Sequence, residues 1–347
     1  MKRHAASLAA LAAATATVTT IGLAAPRASA DSLRGPGLPQ HVFAPYVETY
    51  DTSAGPAALS RQSGARFLSL AFLQTAQAGS CTAYWNGDTS EPISQASFGS
   101  DIAAIQASGG NVIPSFGGYT ADTTGTELAD SCSSVSSIAQ VYESLITTYN
   151  VPRIDLDIEG TSLSDTAGIN RRNEAVAETE AWAAAHGRSI QFSYTLPTFP
   201  TGLPAAELAV LQNAVADGAK IAAVNLLTFD YYIGTEQNML TNTESAASAL
   251  VGQLQSLYPG ESSRQLWQMV GVTVMPGIDD FGPDETFTKA QAIELLVWAG
   301  RTGIGTLSFW ALQRDNGGCP GTKGAGTCSG ITQPTWFFSH VFELFNL

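Results

Sequence analysis

Eight short apolar runs, most of them starting 30 to 45 residues apart, are what most limits the fold open to this 347-residue chain. They cover 41–50, 66–73, 111–118, 153–160, 189–197, 222–232, 267–275 and 305–312. The gaps between them leave room for a helix and two loops, which a parallel crossover needs. Helical spacing of three and four runs through 173–186, which ends at Gly187, and through 205–218. It also runs through 289–301, which follows the capping residue Thr288 and precedes Gly303. Eight strands alternating with helices predict an α/β fold, a closed (β/α)8 TIM barrel in a single domain. A doubly wound open sheet is the alternative, but the glycine fingerprint that cradles phosphates after its first strand is missing from the sequence.

In the fourth run, Arg153 to Gly160, apolar Ile154, Leu156 and Ile158 alternate with Asp155, Asp157 and Glu159. On a strand this period of two sends the three acids to one face, with neighbours roughly 6.5 Å apart. Carboxyls that close raise one another's pKa unless water, hydrogen bonds or shared protons relieve them. An exposed edge strand would make the pattern harmless, but the flanking sequence predicts a buried one.

In a parallel barrel, chemistry gathers at the C-terminal strand ends. Those ends carry Tyr46, Gly117 and Gly118, Glu159, Asp230 with Tyr231 and Tyr232, Met275, and Trp310. Acids mixed with aromatics suit a sugar, whose C–H faces stack on rings while its hydroxyls bond to carboxylates. Trp85, after the second run, is the outlying candidate for a further platform. A nucleophilic triad is not expected, because no Gly-x-Ser-x-Gly occurs and no histidine follows a strand end suggestively.

Residues 1–30 carry the pattern of a secretory signal peptide: Lys2, Arg3 and His4 precede an Ala/Leu/Thr-rich run that closes at Ala28-Ser29-Ala30. The expected product is secreted and extracellular, with 31–347 as its one catalytic domain. Cleavage there removes three bases and no acid, leaving 30 acids against 13 bases, a charge of −17. Such a surface repels polyanions, so nucleic acid is not an expected partner. No later run is long and apolar enough for a membrane span.

Four cysteines in an oxidising compartment predict two disulfides. Cys319 and Cys328 bracket a Gly-rich segment and are expected to pair, which leaves Cys81 for Cys132. With no Cys-x-x-Cys and with scattered histidines, neither a metal nor a cofactor is expected. An acidic barrel of this size is expected to be a monomer.

Three motifs, in order and approximate spacing, resemble glycoside hydrolase family 18, the chitinases and their relatives. They are Ser115-Phe116-Gly117-Gly118, Asp155-Leu156-Asp157-Ile158-Glu159 and Leu307-Ser308-Phe309-Trp310. The resemblance spans essentially 31–347 and is nearest a bacterial and archaeal subgroup with Asp-Tyr after the sixth strand, here Asp230-Tyr231. It implies chitin or N-acetylglucosamine oligosaccharides as the substrate and a retaining, substrate-assisted mechanism, an exception to the two-carboxylate rule.

By the same resemblance Glu159 would be the general acid, and Asp157 would orient the acetamido group and share a hydrogen bond with Glu159. Asp155 would be their deeper partner and Trp310 the floor under the reacting sugar. Asp230 with Tyr231 or Tyr232 would bind the acetamido group, while Tyr46, Met275, Tyr232 and Gly118 would line the substrate site. Burial and the charges of Asp155 and Asp157 are expected to keep Glu159 protonated near neutral pH.

Two positions depart from the family pattern. Pro152 and Arg153 replace an acid and a glycine, and Phe229 replaces the tyrosine of Met-x-Tyr-Asp, removing a hydrogen-bond donor. Tyr231 is the expected substitute. The same chemistry serves endo-β-N-acetylglucosaminidases acting on N-glycans. Members that lose the acid become lectin-like binders, and the presence of Asp157 and Glu159 argues here for an enzyme.

Overall fold

All eight runs contribute strands to one curled parallel sheet in the computed structural model, which describes residues 37–51 and 53–346. The predicted leader, 1–30, lies outside the described residues. The second to eighth strands are Phe67–Thr75, Asn111–Gly117, Arg153–Asp157, Gln191–Pro197, Ile221–Leu227, Val270–Val274 and Thr306–Phe309. The first is split into Val42–Phe43 and Tyr46–Glu48.

That split closes the barrel. Val42–Phe43 pairs with the eighth strand and Tyr46–Glu48 pairs with the second, so one run joins both ends of the sheet. The exchange falls at Pro45, which has no N–H to give a ladder. Its carbonyl accepts from Ser69 N–H (2.9 Å), while Ala44 N–H donates to Leu307 O (3.0 Å).

Helices cover the sheet from outside, which is why the apolar side of the fourth strand is as buried as the acidic side. Ile154, Leu156 and Ile158 belong to one apolar core with Ile138, Tyr142 and Ile146 of the helix Val135–Tyr149. Tyr142 wedges edge-on between Phe116 (5.1 Å) and Phe192 (5.5 Å) from the flanking strands. At the closed bottom, Arg153 is buried with its guanidinium donating to Gln191 Oε1 (2.8 Å) and Thr306 Oγ1 (3.3 Å). The base that stands where the family has a glycine therefore fills the barrel floor.

The predicted helix 289–301 forms as Lys289–Thr302, with a capping box between Thr288 and Gln291 and Gly303 in the left-handed region (φ 77°). The helix predicted over 173–186 starts earlier, at Thr166, capped by Asp165. The buried pairing of its Arg172 with Glu127 (2.7 Å) anchors a first half whose own apolar pattern is weak. Trp267 to Met269, expected in the seventh strand, are helical instead. The capping box Ser262/Gln265 nucleates the helix Ser263–Met269, and the strand begins only at Val270. Both expected disulfides are present, Cys81–Cys132 and Cys319–Cys328.

Candidate active site

Strand register builds the site outward from the fourth strand. Asp155 pairs with Ser115 on the third strand and Ser193 on the fifth, while Asp157 pairs with Gly117 and Thr195. Four hydroxyls consequently converge on Asp155. Tyr46 and Ser115 donate to Oδ2 (both 2.8 Å), and Ser193 (2.6 Å) and Thr195 (2.9 Å) donate to Oδ1. They fill the roughly four lone-pair sites that a carboxylate offers. Asn225 extends this polar layer by donating to Thr195 Oγ1 (3.1 Å) and Thr273 Oγ1 (2.7 Å).

Asp157 sits one pleat nearer the mouth, is 3% exposed, and its Oδ1 has no partner among the described residues. A buried anionic oxygen without donors is costly, which favours the protonated form. Its pKa is pushed well up, by burial first and then by the charges of Glu159, Asp155 and Asp122.

Glu159 lies just past the strand end. Ile158 N–H still donates to Thr195 O (3.0 Å), the chain stays extended through Glu159 (φ −133°, ψ −177°), and Gly160 opens a 3-10 turn. Burial pushes the Glu159 carboxyl up to about 7, against the backbone N–H of Tyr119, which donates to it. Burial leads for both Asp157 and Glu159, and the repulsion between these two carboxyls is mutual, so the help expected from neighbouring charge belongs to the pair.

Trp310 follows the eighth strand and stacks on Phe72 (5.5 Å, 15° between planes), with Tyr46 tilted alongside at 5.7 Å. Phe72 was not legible in the sequence. It sits at a register shift in the second strand, where alternation no longer says which way a side chain points. Gly118 makes room for that ring, since a Cβ there would lie 2.6 Å from Phe72 at a φ of +80°. A cavity of about 370 Å³ opens beside Trp310, lined by Glu48, Tyr50, Met275, Asp280 and Arg314 among others. Tyr46, expected to line the substrate site, is 2% exposed and joins the site through Asp155.

The end of the sixth strand is arranged differently. Asp230 and Tyr232 have positive φ (52° and 55°), so successive side chains diverge instead of alternating. Asp230 Oδ1 accepts from Asp280 N–H (3.0 Å) and Phe281 N–H (3.2 Å), and its own N–H donates to Asp279 Oδ2 (3.0 Å). Burial, helped by the charges of Asp279 and Asp280, pushes Asp230 up to about 8.

Tyr231, the expected acetamido donor, is 3% exposed in the apolar core, with its hydroxyl against Thr243 of the helix Met239–Leu257. Its hydroxyl has no hydrogen-bond partner among the described residues and so makes no bond to Asp157 or Glu159. Tyr232 is 61% exposed and packs edge-on against Phe281 (5.2 Å). Trp85 is no platform: it is buried and donates from Nε1 to Tyr149 Oη (3.1 Å). Among the described residues the exposed aromatic rings are Tyr50, Tyr119, Phe199 and Tyr232, and each follows a barrel strand at its C-terminal end.

No family model matches the chain. A probable bifunctional chitinase/lysozyme of Escherichia coli (strain K12) is 33% identical over 322 residues, which is 89% of this chain and 35% of that protein. Endochitinase 11 of Metarhizium anisopliae is 33% identical over 290 residues, 80% of this chain and 53% of that protein. The chain thus spans about a third and about half the length of these curated relatives. Active domain 2 of a thermostable chitinase from Pyrococcus furiosus, solved as catalytic-site mutants complexed with chito-oligosaccharides, matches with a TM-score of 0.79. That match has 29% identity and covers 90% of this chain and 96% of that one. With the barrel, the acids of its fourth strand and these relatives agreeing, the chain belongs to glycoside hydrolase family 18.

Proposed function

We propose that the chain is a secreted chitinase, hydrolysing β-1,4 linkages between N-acetylglucosamine units by a retaining, substrate-assisted route. The observation that carries this reading is the division of labour among the three acids. Asp155 is saturated by hydroxyls, Asp157 keeps an unpartnered buried oxygen, and Glu159 at the mouth is pushed up to about 7.

Glu159 then gives its proton to the glycosidic oxygen as the C1–O bond breaks, while the acetamido oxygen of the same sugar bonds to C1. The acetamido N–H supplies Asp157 with the partner it lacks. Water next attacks C1 and passes a proton to the Glu159 carboxylate, and the oxazolinium ring opens with retention. Trp310 on Phe72 offers the reacting sugar an apolar face, and the exposed rings around the mouth suit further units of a chain. Residues 1–30 act as the export signal, and the protein works as a monomer.

Glu159→Gln keeps the shape and removes the transferable proton. We expect it to fold normally and to release chito-oligosaccharides at least about a hundredfold more slowly than the unaltered protein. The unaltered protein should lose activity as pH rises through about 7, where Glu159 gives up its proton. Equal turnover by the variant sinks the reading. Release of an intact glycan from a high-mannose glycoprotein, with chitin oligomers left uncut, redirects it to N-glycans.

A further inference from the structure

We propose that Asp122, outside every motif noted above, is a positioning residue that holds the turn bearing Glu159 from behind as an uncharged carboxyl; this rests on Glu159 being the general acid. The last ladder bond of the fourth strand is made by Ile158, so the regular sheet does not fix the next residue. Asp122 does. Its Oδ2 accepts the Glu159 backbone N–H, and its main-chain oxygen accepts the Thr161 hydroxyl. Tyr119, on the same short helix Tyr119–Thr124, donates its backbone N–H to the Glu159 carboxylate. One element therefore grips the acid by main chain and side chain together.

The close approach is built into the backbone. Gly117 has φ +97°, and a Cβ there would lie 2.1 Å from Asp157 O and 3.2 Å from Asp122 Oδ1. Asp122 is 0% exposed and its Oδ1 has no partner among the described residues, an arrangement that a neutral carboxyl tolerates and a carboxylate does not. The charged groups acting on it are Glu127, Arg172, Asp157 and Glu159. Arg172 pairs through Nη2 with Glu127 (2.7 Å) and Asp130 (3.3 Å), and its Nε and Nη1 have no partner among the described residues, so it gives Asp122 no hydrogen bond. Burial and the Glu127 charge push its pKa well up, with the Glu159 N–H and Arg172 opposing.

Two variants and one exchange measurement test this. Leucine matches aspartate in outline but accepts no hydrogen bond, so D122L should lower kcat on chito-oligosaccharides about 10- to 100-fold with KM within about twofold. Asparagine is neutral and still accepts through Oδ1, so D122N should restore most of what D122L loses and keep the alkaline limb of the pH profile in place. D122L with unaltered kcat overturns the clamp, and a D122N limb displaced toward acid overturns its neutrality.

Hydrogen exchange in the unaltered protein gives an answer even if D122L does not fold. The Glu159 amide should exchange slowly, and exchange as fast as that of Gly160 overturns the proposal. That readout is independent of turnover, so it separates failure of the clamp from failure of Glu159 as the acid.

Discussion

The acids of the fourth strand and those beyond the sixth reach similar ends by different means. Glu159 is pushed up to about 7 and Asp230 to about 8, and burial is the leading cause in both. On the fourth strand a regular ladder aims the acids, and side-chain hydroxyls hold Asp155. Beyond the sixth strand no ladder remains, and backbone N–H groups of Asp280 and Phe281 hold Asp230 on a single oxygen. The first arrangement uses up both carboxylate oxygens of its anchor. The second needs one oxygen only and places Asp230 beside further acids.

Replacing each anchor by its amide should therefore separate the two regions. In Asp155→Asn, the new amide nitrogen can no longer accept the two hydroxyl hydrogen bonds that one carboxylate oxygen received. Hydrogen bonds to a charged group contribute about 1.5–3 kcal/mol each, so we expect a loss of at least about 2 kcal/mol in urea unfolding. Asp230→Asn keeps a carbonyl oxygen for both N–H donors and removes a carboxyl that the unfolded chain ionises more readily than the folded protein. It should cost no stability and should raise it at neutral pH, even as it impairs turnover. Equal losses in both variants would abolish the distinction.

The same contrast explains what could be seen in the sequence. Alternation at Asp155, Asp157 and Glu159 survives folding because pleating converts spacing into direction, so face, order and depth were legible. The eight runs were legible for the same reason, and Cys319 and Cys328 could be paired because they bracket a short loop. Past the strand ends the rule lapses. Positive φ at Asp230 and Tyr232 sends Tyr231 into the core and Tyr232 into solvent, and a register shift turns Phe72 beneath Trp310. Asp122 was hidden because its role comes from meeting Glu159, 37 residues away, through a main-chain contact that no side-chain pattern records.

Stability should also depend on pH through the raised carboxyls. Glu159 and Asp230 have pKa values near 7 and 8 in the folded protein, against ordinary values of 4.5 and 3.8. The folded protein thus keeps protons that the unfolded chain has released. That stabilisation is complete below about pH 4 and is lost as pH rises through about 7 to 8. The melting temperature should fall between about pH 5 and about pH 8, and Asp230→Asn should flatten the upper part of the fall. A melting temperature that climbs over this interval contradicts the burial-driven account of both regions.

The smallest effect expected is at Tyr231, and it bears most directly on where the loop beyond the sixth strand parts from the family pattern. Phe229 carries no hydroxyl, which makes Tyr231 the natural candidate to donate to the acetamido oxygen. Its ring nevertheless packs in the core, and its backbone N–H is committed to Glu285 Oε2 (2.6 Å). Thr243, against which its hydroxyl lies, already donates to Met239 O (2.8 Å) and does not depend on the tyrosine. Tyr231→Phe retains the buried ring and deletes only the hydroxyl, so kcat/KM on chito-oligosaccharides should stay within about twofold. A tenfold loss or more would show that the hydroxyl reaches the sugar during turnover, and the loop would then have to reorganise when substrate binds. An unaffected rate would mean that this chain positions the acetamido group without a tyrosine donor from that loop position, leaving Asp157 and Asp230 as the groups to which its polar contacts must be traced.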